Sequence, residues 1–144
     1  MSPPYLNHAA LPVNTPCAKL PAINQEDSHM PAIAATTISN NGTATVTETT
    51  LNGTDSFVYT QGVTKYLILR NATAGALSPI IDGDDAVSEY LPGVGSVATA
   101  SGYAVGSIAA GVVKTINLDS IRSYLKGDIV ITGGTGLVAI LAAV

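Results

Sequence analysis

The closing run of the chain, Leu137 to Val144, carries no polar side chain. A strand with one wet face alternates apolar and polar residues, so a run without alternation must be covered on both faces and needs more than one layer around it. It is too short for a membrane helix, which requires about 20 apolar residues. Gly133-Gly134-Thr135-Gly136 separates it from the Ile- and Val-rich stretch that begins at Asp128. A glycine-dense connection of that length marks either a hairpin or a tight return between two sheets. The last run is therefore expected to be a central core strand that also contributes an assembly surface through Leu137, Val138, Ile140 and Leu141.

From Ala34 onward the whole pattern is β. Asn40-Asn41-Gly42 and Asn52-Gly53 are turn signals, because Asn and Gly tolerate the backbone angles that turns require. Between them Thr43 to Thr50 alternates and predicts a half-buried strand. Ser56 to Thr60 sets Phe57 and Tyr59 on one face, and Lys65 to Arg70 turns Leu67 and Leu69 inward if Tyr66 and Ile68 line the other face. Leu77 to Ile81 contains Pro79, which suits an edge strand. Val87 to Leu91, Val94 to Thr99, Tyr103 to Ile108 and Val112 to Leu118 follow as further strands. Asp119 to Lys126 is the one helical signal, with Asp119 as N-cap and Gly127 as the stop. Eight to ten short strands at intervals of about 8 to 12 residues predict an all-β, antiparallel two-sheet sandwich, with a jelly roll as the first choice within that class.

Residues 1–33 differ in kind. Six of the eight prolines lie here, at positions that stop both helices and paired central strands. The segment reads as an extended N-terminal arm ahead of a sandwich domain at 34–144. Tyr5, Leu6, Leu11, Val13, Leu20, Ile23, Met30 and Ile33 punctuate it as anchors for a partner's surface. A plain tail, or an added extension with Met30 as the natural start, is the other reading of the same residues. Fully extended, such an arm reaches about 110 Å.

Composition narrows function. Charged residues make up 11% of the 144 residues and the formal charge is −4, against about 25% charged in an ordinary domain. Low charge suits a surface packed against neighbours, although a source that favours Thr and Ala gives the same composition. The six cations are dispersed, so neither nucleic acid nor a membrane surface is an expected partner. Cys17 is alone and cannot form an internal disulfide. The first residues lack the features of a secretory signal, so synthesis in a cytoplasm is expected.

No catalytic set emerges. The two histidines, His8 and His29, both fall in the arm, away from any rigid scaffold that could hold a triad. Asp82, Asp84 and Asp85 suggest a calcium loop, but the closing glutamate of an EF-hand is missing because Gly93 stands in its place. Gly93-Val94-Gly95-Ser96-Val97-Ala98 has the glycine spacing of a dinucleotide turn without a following helix, and reads as hairpin glycines. The chain is expected not to be an enzyme, and to need no cofactor and no metal.

The segments Leu91-Pro-Gly-Val-Gly-Ser-Val, Gly102-Tyr-Ala-Val-Gly-Ser-Ile-Ala-Ala-Gly and Ile131-Thr-Gly-Gly-Thr-Gly-Leu-Val-Ala resemble stretches in small virion proteins of bacteriophages. In size and character the chain resembles the capsid cement, or decoration, proteins of tailed double-stranded DNA phages, including the jelly-roll cement proteins of short-tailed phages. That resemblance implies a structural protein on the outer surface of the capsid, made in the host bacterial cytoplasm. It would bridge subunits of the major capsid protein and hold the shell against internal DNA pressure. Independently of the resemblance, the neutral composition and the all-apolar terminal strand suggest self-association, most simply as a homodimer across a two-fold axis, with the terminal strand as the oligomer or shell surface. The alternative is a tail or head-fibre adhesin that binds a host glycan.

Overall fold

Short runs of β-branched and aromatic residues, interrupted by glycine, favour short strands. The computed structural model, which describes residues 32–39 and 42–144, shows eleven of them. The larger sheet holds β1 (Ala35–Thr37), β2 (Thr49–Thr50), β4 (Thr64–Asn71), β9 (Val113–Asn117) and β11 (Leu137–Ala143). A four-stranded sheet holds β3 (Asp55–Phe57), β5 (Ile80–Gly83), β8 (Tyr103–Ala104) and β10 (Ile129–Thr132). The strands β6 (Ser88–Leu91) and β7 (Gly95–Ala98) form a separate hairpin, and a 3-10 helix spans Leu118–Tyr124.

The pairing follows one rule. β2 pairs with β11, β3 with β10, β4 with β9 and β5 with β8, each antiparallel. This is one long two-stranded ribbon, with the β6–β7 hairpin at its tip. Rolling the ribbon brings β11 against β4 and β10 against β5, which closes two sheets and gives the jelly-roll order. The turn at Gly133 to Gly136 is thus the return between sheets. β1 is an addition to the roll, running parallel to β11 in the register Ala35 to Leu141.

Between the sheets lies one core. Leu67, Leu69, Ile116, Leu137 and Leu141 meet Phe57, Ile81, Ile129 and Ile131, each fully buried side chain contributing about 1.5 to 3 kcal/mol. Leu118, Ile121 and Leu125 close one end of it, and Leu51 and Ile108 the other.

Several expectations are corrected. Thr43 to Glu48 is exposed and outside any strand. Its polar groups go to side chains instead of a ladder: the Thr47 amide donates to Thr36 Oγ1 at 2.9 Å, and Glu48 pairs with Arg70 at 3.0 Å. β5 is paired on both sides, because Pro79 sits just before it and no ladder hydrogen is lost. The helix cap is Asn117, whose side chain accepts from the Asp119 amide. Ile33, expected to anchor a partner, is 3% exposed within the domain's own core, and its amide donates to the Ser56 carbonyl. Leu137, Val138 and Leu141, expected on an assembly surface, are also buried in their own chain. β11 is a central strand flanked by β1 and β2 on one side and β4 on the other, so neighbouring side chains on both faces cover it.

Candidate protein-docking interface

Four connections meet at one end of the sandwich: residues 51–54, 71–79, 105–112 and 132–136. Asn71, 1% exposed, is their hub. Its Nδ2 donates to the carbonyls of Gly75 and Ile108 at 2.7 Å each, and its Oδ1 accepts from the Thr73 amide and hydroxyl. Leu77 and Ile108 exchange backbone hydrogen bonds, and the Gly136 amide donates to the Leu51 carbonyl. Gly133 has φ +68°, and a Cβ there would stand 3.0 Å from the Ser78 carbonyl oxygen; only glycine lets these two loops touch. Loops cross-linked in this way form a fixed surface, since the buried Asn71 side chain at their centre finds all its partners within them.

None of the residues in these four connections is charged. Asp55, at the margin, is fully buried and accepts from the amides of Asn52 and Gly53. Arg70 and Glu48 neutralise one another, and Lys114 turns its Nζ to the Val105 carbonyl at 2.9 Å. The opposite end carries Asp84, Asp85, Asp119, Arg122, Lys126 and Asp128. There the Tyr59 hydroxyl donates to Asp119 Oδ1 at 2.6 Å. Burial, and then that bond, push the Tyr59 phenol up to about 12, while the same bond holds the Asp119 carboxyl below its usual range. The pair fastens the loop after β3 to the helix.

Two further surfaces expose apolar groups. On the outer face of the larger sheet, Ile140 pairs across to Ile68, both half-buried, and Tyr66 and Val113 are exposed nearby in the register. On the β6–β7 hairpin, Tyr90 and Val94 are 73% and 74% exposed. Of the residues expected to bind partners, Ile140 alone among the described ones keeps a partly open side chain. Tyr5, Leu6, Leu11, Val13, Leu20, Ile23 and Met30 lie outside the described residues, as do His8, His29 and Cys17. Asp82, Asp84 and Asp85 do not converge: Asp84 Oδ1 accepts from the Asp128 amide at 2.7 Å. Among the described residues no group of three His, Cys, Asp or Glu side chains could hold a metal ion, and no helix is long and apolar enough to cross a membrane.

The uncharged end was not singled out from sequence. Its signal is present, because 71–81, 90–113 and 129–144 contain no charged residue at all; what sequence lacks is the topology that brings them together. Comparison with protein-family models, with curated proteins and with solved structures finds no match.

Proposed function

We propose that this chain is a structural virion protein that binds the outside of a phage capsid, bridges subunits of the major capsid protein and stabilises the shell. The observation that carries this reading is a jelly roll with one rigid end free of charge. Protein interfaces deplete charged residues at their centres. The proline-rich residues 1–31, with seven large apolar side chains from Tyr5 to Met30, add a second contact. Two linked contacts raise avidity without requiring either to be tight. Self-association as a dimer belongs to the same reading, and the outer face around Ile140 and Ile68 is the apolar surface available for it. The glycan-adhesin alternative needs an aromatic platform; Tyr90 and Tyr66 are the exposed aromatics among the described residues, and they sit on different sheets.

The test is co-sedimentation with shells assembled from the co-encoded major capsid protein. Retention that changes little between low and high salt is expected, because apolar and backbone contacts are scarcely screened. Absence of shell binding, or a steep loss of occupancy as salt rises, overturns the reading.

A further inference from the structure

We propose that Asn52 is a site of spontaneous deamidation, in which the Gly53 amide nitrogen attacks the Asn52 side chain and Asp55 acts as the base. This modification is independent of the docking role and needs neither a cofactor nor a second protein.

A glycine after asparagine has no Cβ to hinder the approach of its nitrogen to the carboxamide. The chain has two such pairs, Asn41-Gly42 and Asn52-Gly53. Asn41 lies outside the described residues, whereas Asn52 is exposed, so water can reach it and ammonia can leave. The Gly53 amide donates to Asp55 Oδ2 at 3.3 Å, so a carboxylate already faces the proton that the nucleophile must lose. Asn52 Oδ1 accepts from the Thr54 amide at 3.2 Å, which favours the negative charge that grows on that oxygen during attack. The Asn52 amide donates to the same Asp55 oxygen at 2.6 Å. Leu51, just before it, is pinned through its amide to the Leu137 carbonyl and through its carbonyl to the Gly136 amide. Nucleophile and carboxamide are thus held together in one turn. Asp55 is fully buried, and its Oδ1 accepts no hydrogen bond from the chain, which leaves the carboxylate an open acceptor position. Gly53 has φ +112°, and a Cβ there would stand 2.8 Å from Thr135 Oγ1, so no other residue fits the turn.

In the first step the Gly53 proton passes to Asp55 while the nitrogen bonds to Asn52 Cγ. Asn52 Nδ2 then takes that proton back from Asp55 and departs as ammonia, leaving a cyclic imide. One water opens the ring at either carbonyl. Opening at the side-chain carbonyl gives aspartate, and opening at the main-chain carbonyl gives isoaspartate, whose main chain runs through Cβ and Cγ. The net reaction consumes one water and releases one ammonia, with no oxidation or reduction. Either product puts a carboxylate into residues 51–54, where the sequence has no charge. Isoaspartate also lengthens the main chain by one carbon next to the close approach of Gly53 to Thr135.

The experiment incubates the full chain at neutral pH, either folded in buffer or unfolded in urea. Peptide mapping by mass spectrometry follows conversion, with fragment ions separating Asn52 from Asn41. Conversion at Asn52 is expected to be at least about tenfold faster in the folded chain, because the turn fixes nucleophile and carboxamide together. Between about pH 6 and 8 the folded rate is expected to stay nearly level while the unfolded rate climbs with hydroxide, because a carboxylate and not solvent takes the proton. Asp55→Asn keeps an acceptor oxygen for the two amides but cannot take a proton, and should slow the folded reaction at least about tenfold. A folded rate at or below the unfolded rate overturns the site. A folded rate that follows hydroxide, or an unchanged rate in a folded Asp55→Asn chain, overturns the role of Asp55. If Asp55→Asn does not fold, the pH profile of the original protein decides that role alone.

Discussion

The hydroxyl of Tyr59 donates a 2.6 Å hydrogen bond to Asp119, sixty residues further along the chain. Tyr59 belongs to the four-stranded side and Asp119 to the helix that follows the edge strand of the larger sheet, so the bond spans the two layers at the charged end.

That bond sets a pH signature. The Tyr59 phenol is raised to about 12, above an unfolded value of about 10. Its stabilising contribution is complete below about pH 10 and is lost as pH rises toward 12. For Asp119 the shift is downward, so its contribution is present above the unfolded value of about 3.9 and disappears as pH falls through the folded one. Thermal melts of Tyr59→Phe against the original protein should differ at neutral pH and converge at both extremes. A constant difference across the range would show that the bond does not act.

Asn71 should be irreplaceable at the opposite end. Asn71→Ala leaves the Thr73 amide without its partner and takes one donor each from the carbonyls of Gly75 and Ile108, which keep the Thr73 hydroxyl and the Leu77 amide, a loss of about 2 kcal/mol. Urea unfolding measures it. Asn71→Asp, which keeps the shape but removes both donors, should cost nearly as much.

Gly83 is expected to tolerate no side chain. A Cβ there would lie 2.3 Å from the Lys126 carbonyl oxygen and 2.6 Å from its nitrogen, so backbone must move. Gly83→Ala is expected to destabilise by at least about 3 kcal/mol, read as a fall in the urea midpoint. Gly75, where nothing lies within 4 Å of the added carbon, is the matched control.

Ile33 tests whether the segment before β1 belongs to the domain. Ile33→Ala opens a cavity in the core and should cost about 3 kcal/mol. A change below about 0.5 kcal/mol, the range of ordinary surface substitutions, would return Ile33 to the arm.

Much of the fold was readable from local pattern. The alternation through Leu67 and Leu69 placed β4 correctly, and Gly133 to Gly136 marked a return between sheets, because both signals are contained within a few residues. Thr43 to Thr50 misled for the opposite reason. Its alternation suits a strand, but β2 covers only Val138 and Ala139 on that edge, while β1 occupies 141–143. For Leu137, Val138 and Leu141 the missing alternation signalled cover on both faces, but only the pairing with β1, β2 and β4 shows that the neighbours are strands of the same chain and not an assembly partner. The loop end escaped notice since its four parts are separated by dozens of residues.

The pairing of β2 with β11 has a consequence for how the molecule is made. Thr50 meets Val138, so the ribbon joins nearly its two extremes, and every pair outside the tip hairpin must wait for its distant mate. Such topologies fold slowly, on the order of milliseconds to seconds. A ribosome adds only about 5 to 20 residues per second. Until Leu137 to Ala143 emerges, β4 has no inner neighbour and the apolar faces of both layers stay uncovered. The larger sheet is therefore completed only after Leu137 to Ala143 has emerged, although β4 with β9, β5 with β8 and β3 with β10 can pair before it.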